Sequence, residues 1–182
     1  VNAHQYALEI PFESVYVPFE DAFNESRIFN YRLTYKKGAA ILHILRHEIN
    51  NDELFFSLIR EYLTKYANSI ASGDDFKQFI ELKTNEDFSP FFNQWYYGKG
   101  HPRFDVEYSQ YNDTLFLLVN ETTSSPQTPL FQVHIDYKLY FSDGDTTIRL
   151  YQSQHLEEFK IPINREVINI EVDPDNWILN ET

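Results

Sequence analysis

Gly98-Lys99-Gly100-His101-Pro102 divides the chain, because the spacing of apolar residues differs on its two sides. Glycine and proline punctuate regular structure, and here they fall where a period near 3.6 gives way to a period of 2. Downstream, Phe131, Val133, Ile135, Tyr137, Leu139 and Phe141 alternate with Gln132, His134, Asp136 and Lys138. That is the pattern of a half-buried antiparallel strand. Ser142-Asp143-Gly144-Asp145 supplies a turn into a second strand over 146–151. Further short strands are expected over 104–109, 115–120, 158–163 and 167–172, with 122–129 a polar surface loop. Strands this short, at this spacing, predict a β-sandwich (Ig-like) over residues 101–182.

Upstream the reading is helical. Ala40, Ile41, Ile44, Leu45 and Ile49 form one apolar stripe. Asn51-Asp52 breaks and recaps the chain, and Phe55, Leu58, Ile59, Tyr62 and Tyr66 form the next stripe. Ser72-Gly73-Asp74-Asp75 has a serine cap with an acidic residue three positions on, ahead of Phe76, Phe79 and Ile80. A fourth helix is expected from Ser89-Pro90, with Ser89 as cap and Pro90 first in the helix, carrying Phe91, Phe92, Trp95 and Tyr96 to an end at Gly98. The fold class is therefore α+β: a helical half over residues 1–100, then an antiparallel β-sandwich.

Composition narrows the function. The 182 residues suffice for one domain or two small ones, with 42% hydrophobic and 24% charged residues. A formal net charge of −13 works against nucleic acid or anionic membrane as partner, since phosphate binding needs clustered Lys and Arg. No apolar run is long enough to span a membrane. The absence of cysteine excludes disulfides, thiolate metal sites and thiol nucleophiles. With no methionine there is no initiator, so Val1 is not expected to be the natural start: either a targeting segment was removed or the chain was cut from something longer. Asn24-Glu25-Ser26, Asn112-Asp113-Thr114, Asn120-Glu121-Thr122 and Asn180-Glu181-Thr182 fit the glycosylation pattern, which points towards an extracellular or periplasmic location.

Five motifs occur in one order: Tyr35-Lys36-Lys37-Gly38-Ala39, Leu42-His43-Ile44-Leu45-Arg46, Asp74-Asp75-Phe76, Phe91-Phe92-Asn93-Gln94-Trp95 and Gly100-His101-Pro102. That order resembles the M1 family of zinc metallopeptidases, the gluzincin aminopeptidases. The resemblance implies that residues 1–100 are the α-helical end of a thermolysin-like catalytic domain. It also implies that Tyr35 gives its phenolic hydroxyl to the oxyanion formed as water attacks the peptide carbonyl, a preorganised neutral donor placed where charge develops. Tyr31, one turn back, becomes a wall of the substrate pocket. The family often has Glu where Lys36 stands, so a contact made by that Glu would be lost. Gly38 costs a helix interior about 1 kcal/mol relative to alanine, which implies close packing at a bare backbone.

The family holds zinc with His-Glu-x-x-His and a downstream Glu. Here the only His-Glu is His47-Glu48, its fifth position is Asn51, and it follows the tyrosine instead of preceding it. His43 and His47 stand at i and i+4, and are read as an exposed pair on the polar face of their helix. His134 is read as solvated on its strand. Asp74-Asp75 are read as helix caps, and Asp143-Gly144-Asp145 as a turn lacking the further ligands of a calcium loop. Among 5 glycines there is no phosphate loop, and no serine sits in a nucleophile elbow.

The expectation is thus the C-terminal portion of an M1-like zinc metallopeptidase. It would contribute Tyr35 but no metal ligand, would carry no cofactor of its own, and would be inactive alone. Zinc would be held by the upstream catalytic segment of the same polypeptide, its partner in forming the site for a peptide substrate. The alternative is a non-catalytic helical plus β-sandwich module for protein or glycan binding, and residues 101–182 could also be a structural spacer. An exposed Tyr35 on an incomplete concave surface favours the enzyme. A buried Tyr35 with an aromatic patch on the sandwich favours the module.

Overall fold

A computed structural model describes residues 3–10 and 12–181. The helical half runs through α1 (Ala3–Leu8), α2 (Glu25–Ile28), a π-helical turn (Tyr31–Lys37), α3 (Gly38–Ile49), α4 (Asp52–Lys65), α5 (Gly73–Thr84) and α6 (Ser89–Phe91), and ends in a second π-helical turn (Phe92–Tyr96). Side chains fix the starts of these elements. Asn30 accepts from the backbone N–H groups of Arg32 and Leu33, and Asn51 from that of Leu54. Ser72 and Asp75 form a reciprocal capping box. Asn50 and Asn85 end α3 and α5 in the left-handed conformation, with φ of 50° and 59°. Asparagine tolerates that region because its short side chain can bond locally.

The last helical segment departs from expectation. Ser89 is the first helical residue, not the cap, and its N–H is taken by the Asp87 carboxylate at 2.8 Å. The α-helix lasts a single turn before widening, with Tyr97 N–H reaching back five residues to Phe92 O at 3.0 Å. The wider turn leaves Phe91, Phe92 and Trp95 all buried.

From Pro102 onward the chain is strand: β1 (Pro102–Tyr111), β2 (Thr114–Thr123), β3 (Val133–Phe141), β4 (Gly144–Gln152), β5 (Leu156–Pro162) and β6 (Asn169–Val172). They form two antiparallel sheets, β1-β2-β5 and β4-β3-β6. Leu115, Leu117 and Val119 of one sheet share a core with Val133, Ile135, Tyr137 and Leu139 of the other. The same core continues into the helical half through Trp95, whose ring lies 4.5 Å from that of Phe131. Gly144 takes the β3–β4 turn at φ 147°, a conformation open to glycine.

One face of α3 closes an exposed sheet edge. Strand β6 pairs with β3 only over Tyr137–Tyr140, leaving His134 without a strand neighbour on that side. The Glu48 carboxylate takes its place, accepting from His134 N–H at 2.9 Å and lying 2.7 Å from its Nδ1. His47 Nε2 reaches His134 O at 3.2 Å. These contacts correct two expectations. His47 is 5% exposed, not part of a solvated pair, and His134 is half-buried and paired with Glu48. The polar face of α3 is polar because it binds backbone groups, which must be satisfied once water is excluded.

Candidate active site

Tyr35 sits in the first π-helical turn. Asn30 holds the start of that turn, and Gly38 N–H closes its end on Leu33 O and Tyr35 O. Such turns recur at functional sites because the extra residue redirects side chains. Tyr35 is 52% exposed. It lines a cavity of about 390 Å³ whose walls come from Val15, Leu42 and Leu45 on one side and Phe76, Phe92 and Tyr96 on the other. The two π-helical turns thus contribute to one cavity, Tyr35 from the first and Phe92 and Tyr96 from the second. The lining is apolar apart from Thr34, whose hydroxyl is buried, and the side chains of Tyr35 and Tyr96.

Gly73 belongs to the same wall. A Cβ there would stand 2.5 Å from the Tyr96 ring, so the close approach of α5 to the second π-helical turn depends on glycine. Gly38 is less crowded. A Cβ at that position would meet nothing nearer than 3.9 Å, and the close packing expected around it is not present.

Tyr31, also half-exposed, turns elsewhere. Its ring packs edge-on against Tyr6 at 5.5 Å, with the Lys36 ammonium 5.0 Å above it, and it is not among the residues lining this cavity. Lys36 therefore serves as a cation over aromatic rings. Its neighbour Lys37 is 1% exposed, and its ammonium donates to Glu13 O at 2.8 Å and Gly100 O at 3.1 Å. Burial pulls its pKa down to about 8, against the upward pull of Glu13. The sequence held a signal for this. Lys37 falls four residues after Leu33 and four before Ile41, on the apolar stripe itself.

The histidines of α3 are committed to packing. The Trp177 indole stacks on His43 at 4.4 Å and on His47 at 5.2 Å, with the Arg46 guanidinium 5.3 Å from its centroid. Arg149 lies 3.0 Å from His47 Nδ1 and donates to His47 O at 2.6 Å. Desolvation first, then the Arg149 charge, push the His47 pKa down to about 3, so the ring is neutral at ordinary pH. Of the paired aspartates, Asp75 caps α5 as expected, whereas Asp74 accepts the Tyr97 hydroxyl at 2.5 Å. Among the described residues no group of three or more His, Asp or Glu is placed to hold a metal ion.

The geometry puts a half-exposed tyrosine beside an apolar cavity, and comparison with known proteins gives the class. Residues 7–95 match the peptidase family M1 domain. Aminopeptidase N of Escherichia coli strain K12 is 32% identical over 149 residues, which cover 77% of this chain and 16% of that protein. In fold, the chain is similar to the crystal structure of Legionella pneumophila aminopeptidase A in complex with aspartic acid. The TM-score is 0.74 at 15% identity, over 94% of this chain and 20% of that one. The chain carries an M1 aminopeptidase-related domain, and spans about a sixth of the length of the curated relative it matches.

Proposed function

We propose that the chain is the C-terminal portion of a zinc-dependent M1 metallopeptidase that removes N-terminal residues from peptides, and that Tyr35 is its oxyanion donor. The observation that carries this reading is the position of Tyr35, half-exposed on a π-helical turn at an open apolar cavity. A neutral phenol held by a capped turn donates to negative charge developing on the scissile carbonyl oxygen without reorganising, and the apolar wall keeps water from weakening that bond. Tyr31 lies outside this cavity, packed on Tyr6 and exposed, and would meet a peptide only where the peptide extends beyond the cavity.

Among the described residues, the histidines and the glutamate of α3 do not fit zinc. His47 is bound to His134 O and Arg149, His43 is stacked on Trp177, and Glu48 is engaged by His134. Zinc and the water-activating glutamate of the family would come from an upstream segment of the same polypeptide, and the chain alone would be inactive. An extracellular or periplasmic setting accords with Asn112 and Asn120, both exposed on the sandwich, as acceptors. Asn180 is a poor one, because its amide donates to Asp173 at 3.0 Å. Mass spectrometry before and after deglycosylation reads this directly, and unmodified Asn112 and Asn120 in secreted material would remove the support.

The test is Tyr35→Phe in the full polypeptide. Loss of one such donor is expected to lower kcat by about 100–1000-fold, with KM little changed. A kcat within twofold of the parent enzyme removes Tyr35 from the reaction, and peptidase activity in the isolated chain removes the dependence on an upstream segment.

A further inference from the structure

Lys37 is the side chain in this region that the proposed chemistry leaves unused. It lies two residues beyond Tyr35 in the same π-helical turn, and its partners are two carbonyls from distant parts of the chain, Glu13 and Gly100. Glu13 leads into Val15, a wall of the Tyr35 cavity, and Tyr16 N–H then fastens that segment to Tyr96 O of the second π-helical turn at 3.1 Å. Gly100 lies at the passage from helices to strands, with φ 91°, and has no room for a side chain: a Cβ there would stand 2.6 Å from Ser124 Oγ. The next residue, His101, is buried and its N–H donates to Ser124 Oγ at 2.9 Å.

We propose that Lys37 is the positioning residue of Tyr35: its buried ammonium clamps the π-helical turn to the cavity wall at Glu13 and to the helix–sandwich junction at Gly100. A buried charge stays buried only while its hydrogen bonds are made. Moving the turn would strip the ammonium of both carbonyls at once, so the turn is stiff where the phenol must be aimed. The aim of Tyr35 is thereby set in part by backbone leading into the sandwich. This inference rests on Tyr35 being the oxyanion donor, and Lys37 itself touches no substrate.

A double-mutant cycle in the full polypeptide tests it. Lys37→Met is expected to lower kcat/KM by about 10–100-fold, the cost of a misplaced catalytic group, with KM unchanged. In a Tyr35→Phe background the same substitution should change kcat/KM by less than about twofold, because residues acting as a unit are not additive. An equal loss in both backgrounds means a merely structural lysine and overturns the proposal. If Tyr35→Phe alone is silent, the reading of Tyr35 fails and the clamp with it, a result distinguishable from the first. Should Lys37→Met not fold, Lys37→Arg enters the same cycle. Its longer, planar guanidinium does not place its donors where the compact ammonium does, so its loss should again be confined to the Tyr35 background.

Discussion

Along β3, every second residue from Val133 to Phe141 is buried, whereas between Phe12 and Tyr35 the chain leaves Phe12, Phe19, Phe23, Phe29, Tyr31 and Tyr35 more than half exposed. The two halves share one core. The sandwich too leaves Tyr111, Leu156 and Ile168 more than half exposed, but singly, whereas the stretch before α3 exposes six aromatic rings. Contiguous apolar surface left exposed is the kind of surface that a ligand or another segment covers. The π-helical turn carrying Tyr35 lies within it. Under the proposed function, the peptide and the zinc-bearing segment are what that surface meets, and the sandwich supplies the rigid side of the arrangement.

The strongest way to break this comparison is Trp95→Ala, because Trp95 is fully buried where the two halves meet. A cost of about 3–5 kcal/mol is expected. The helical and strand signals should then fall in one denaturant transition, with Trp177, the chain's other tryptophan, as fluorescent reporter. Two separate transitions would mean that the halves do not share a core in any energetic sense.

Next in size is Glu121, a carboxyl buried in the sandwich beside the apolar faces of its strands. Its carboxyl is 2% exposed, with one oxygen accepting from Phe131 N–H, and burial pushes its pKa from 4.5 up to about 7. The folded state therefore takes up a proton that the unfolded state releases. Stability from this group is fully present below about pH 4.5 and is lost as pH rises through 7. Glu121→Gln should flatten that fall, by roughly 2–3 kcal/mol, in denaturation curves at pH 5 and pH 8. An unchanged pH profile would show that water reaches the carboxyl.

Arg149→Ala probes the seam itself. Removing the guanidinium takes one of two donors from His47 O, which keeps Asn50 N–H at 3.1 Å, at a cost of about 1–2 kcal/mol. It also removes one of the two main causes depressing the His47 pKa, so that pKa should rise from about 3 towards 6.5. In the parent protein, a lowered histidine costs stability as pH falls through 6.5 towards 3. Imidazole proton shifts would follow the variant's earlier protonation, and a shift profile identical to the parent's would remove Arg149 from the account. Smallest of all is the stability effect of Tyr35→Phe. At a half-exposed site it should stay within about 0.5 kcal/mol, and a larger loss in thermal melting would make Tyr35 a packing residue.

Much of this architecture was legible because it depends on neighbours in sequence. The Ser72–Asp75 capping box and the β3 alternation are local patterns, and both appear where the spacing places them. The burial of His47 was not legible, since a polar helix face looks the same whether it meets water or the backbone of an unpaired strand edge. Nor were the π-helical turns, because choosing a carbonyl five residues back over one four back is settled by tertiary packing. At the candidate site, the flanking Lys37-Gly38-Ala39 singled out Tyr35, and the residue does line the cavity. The cavity was not legible, since Val15, Phe76 and Tyr96 come from separate stretches of chain.

The π-helical turn also sets a phase. Each residue of an α-helix advances the side-chain direction by about 100°, and one residue more or fewer between Tyr35 and Gly38 would rotate everything before it by about that amount relative to α3. The core contacts of α3 would keep their places, while Tyr35 swung off the cavity. In that passage length is as exacting a requirement as the identity of Tyr35 and Lys37: with both residues kept, a single insertion or deletion between Tyr35 and Gly38 would still empty the site.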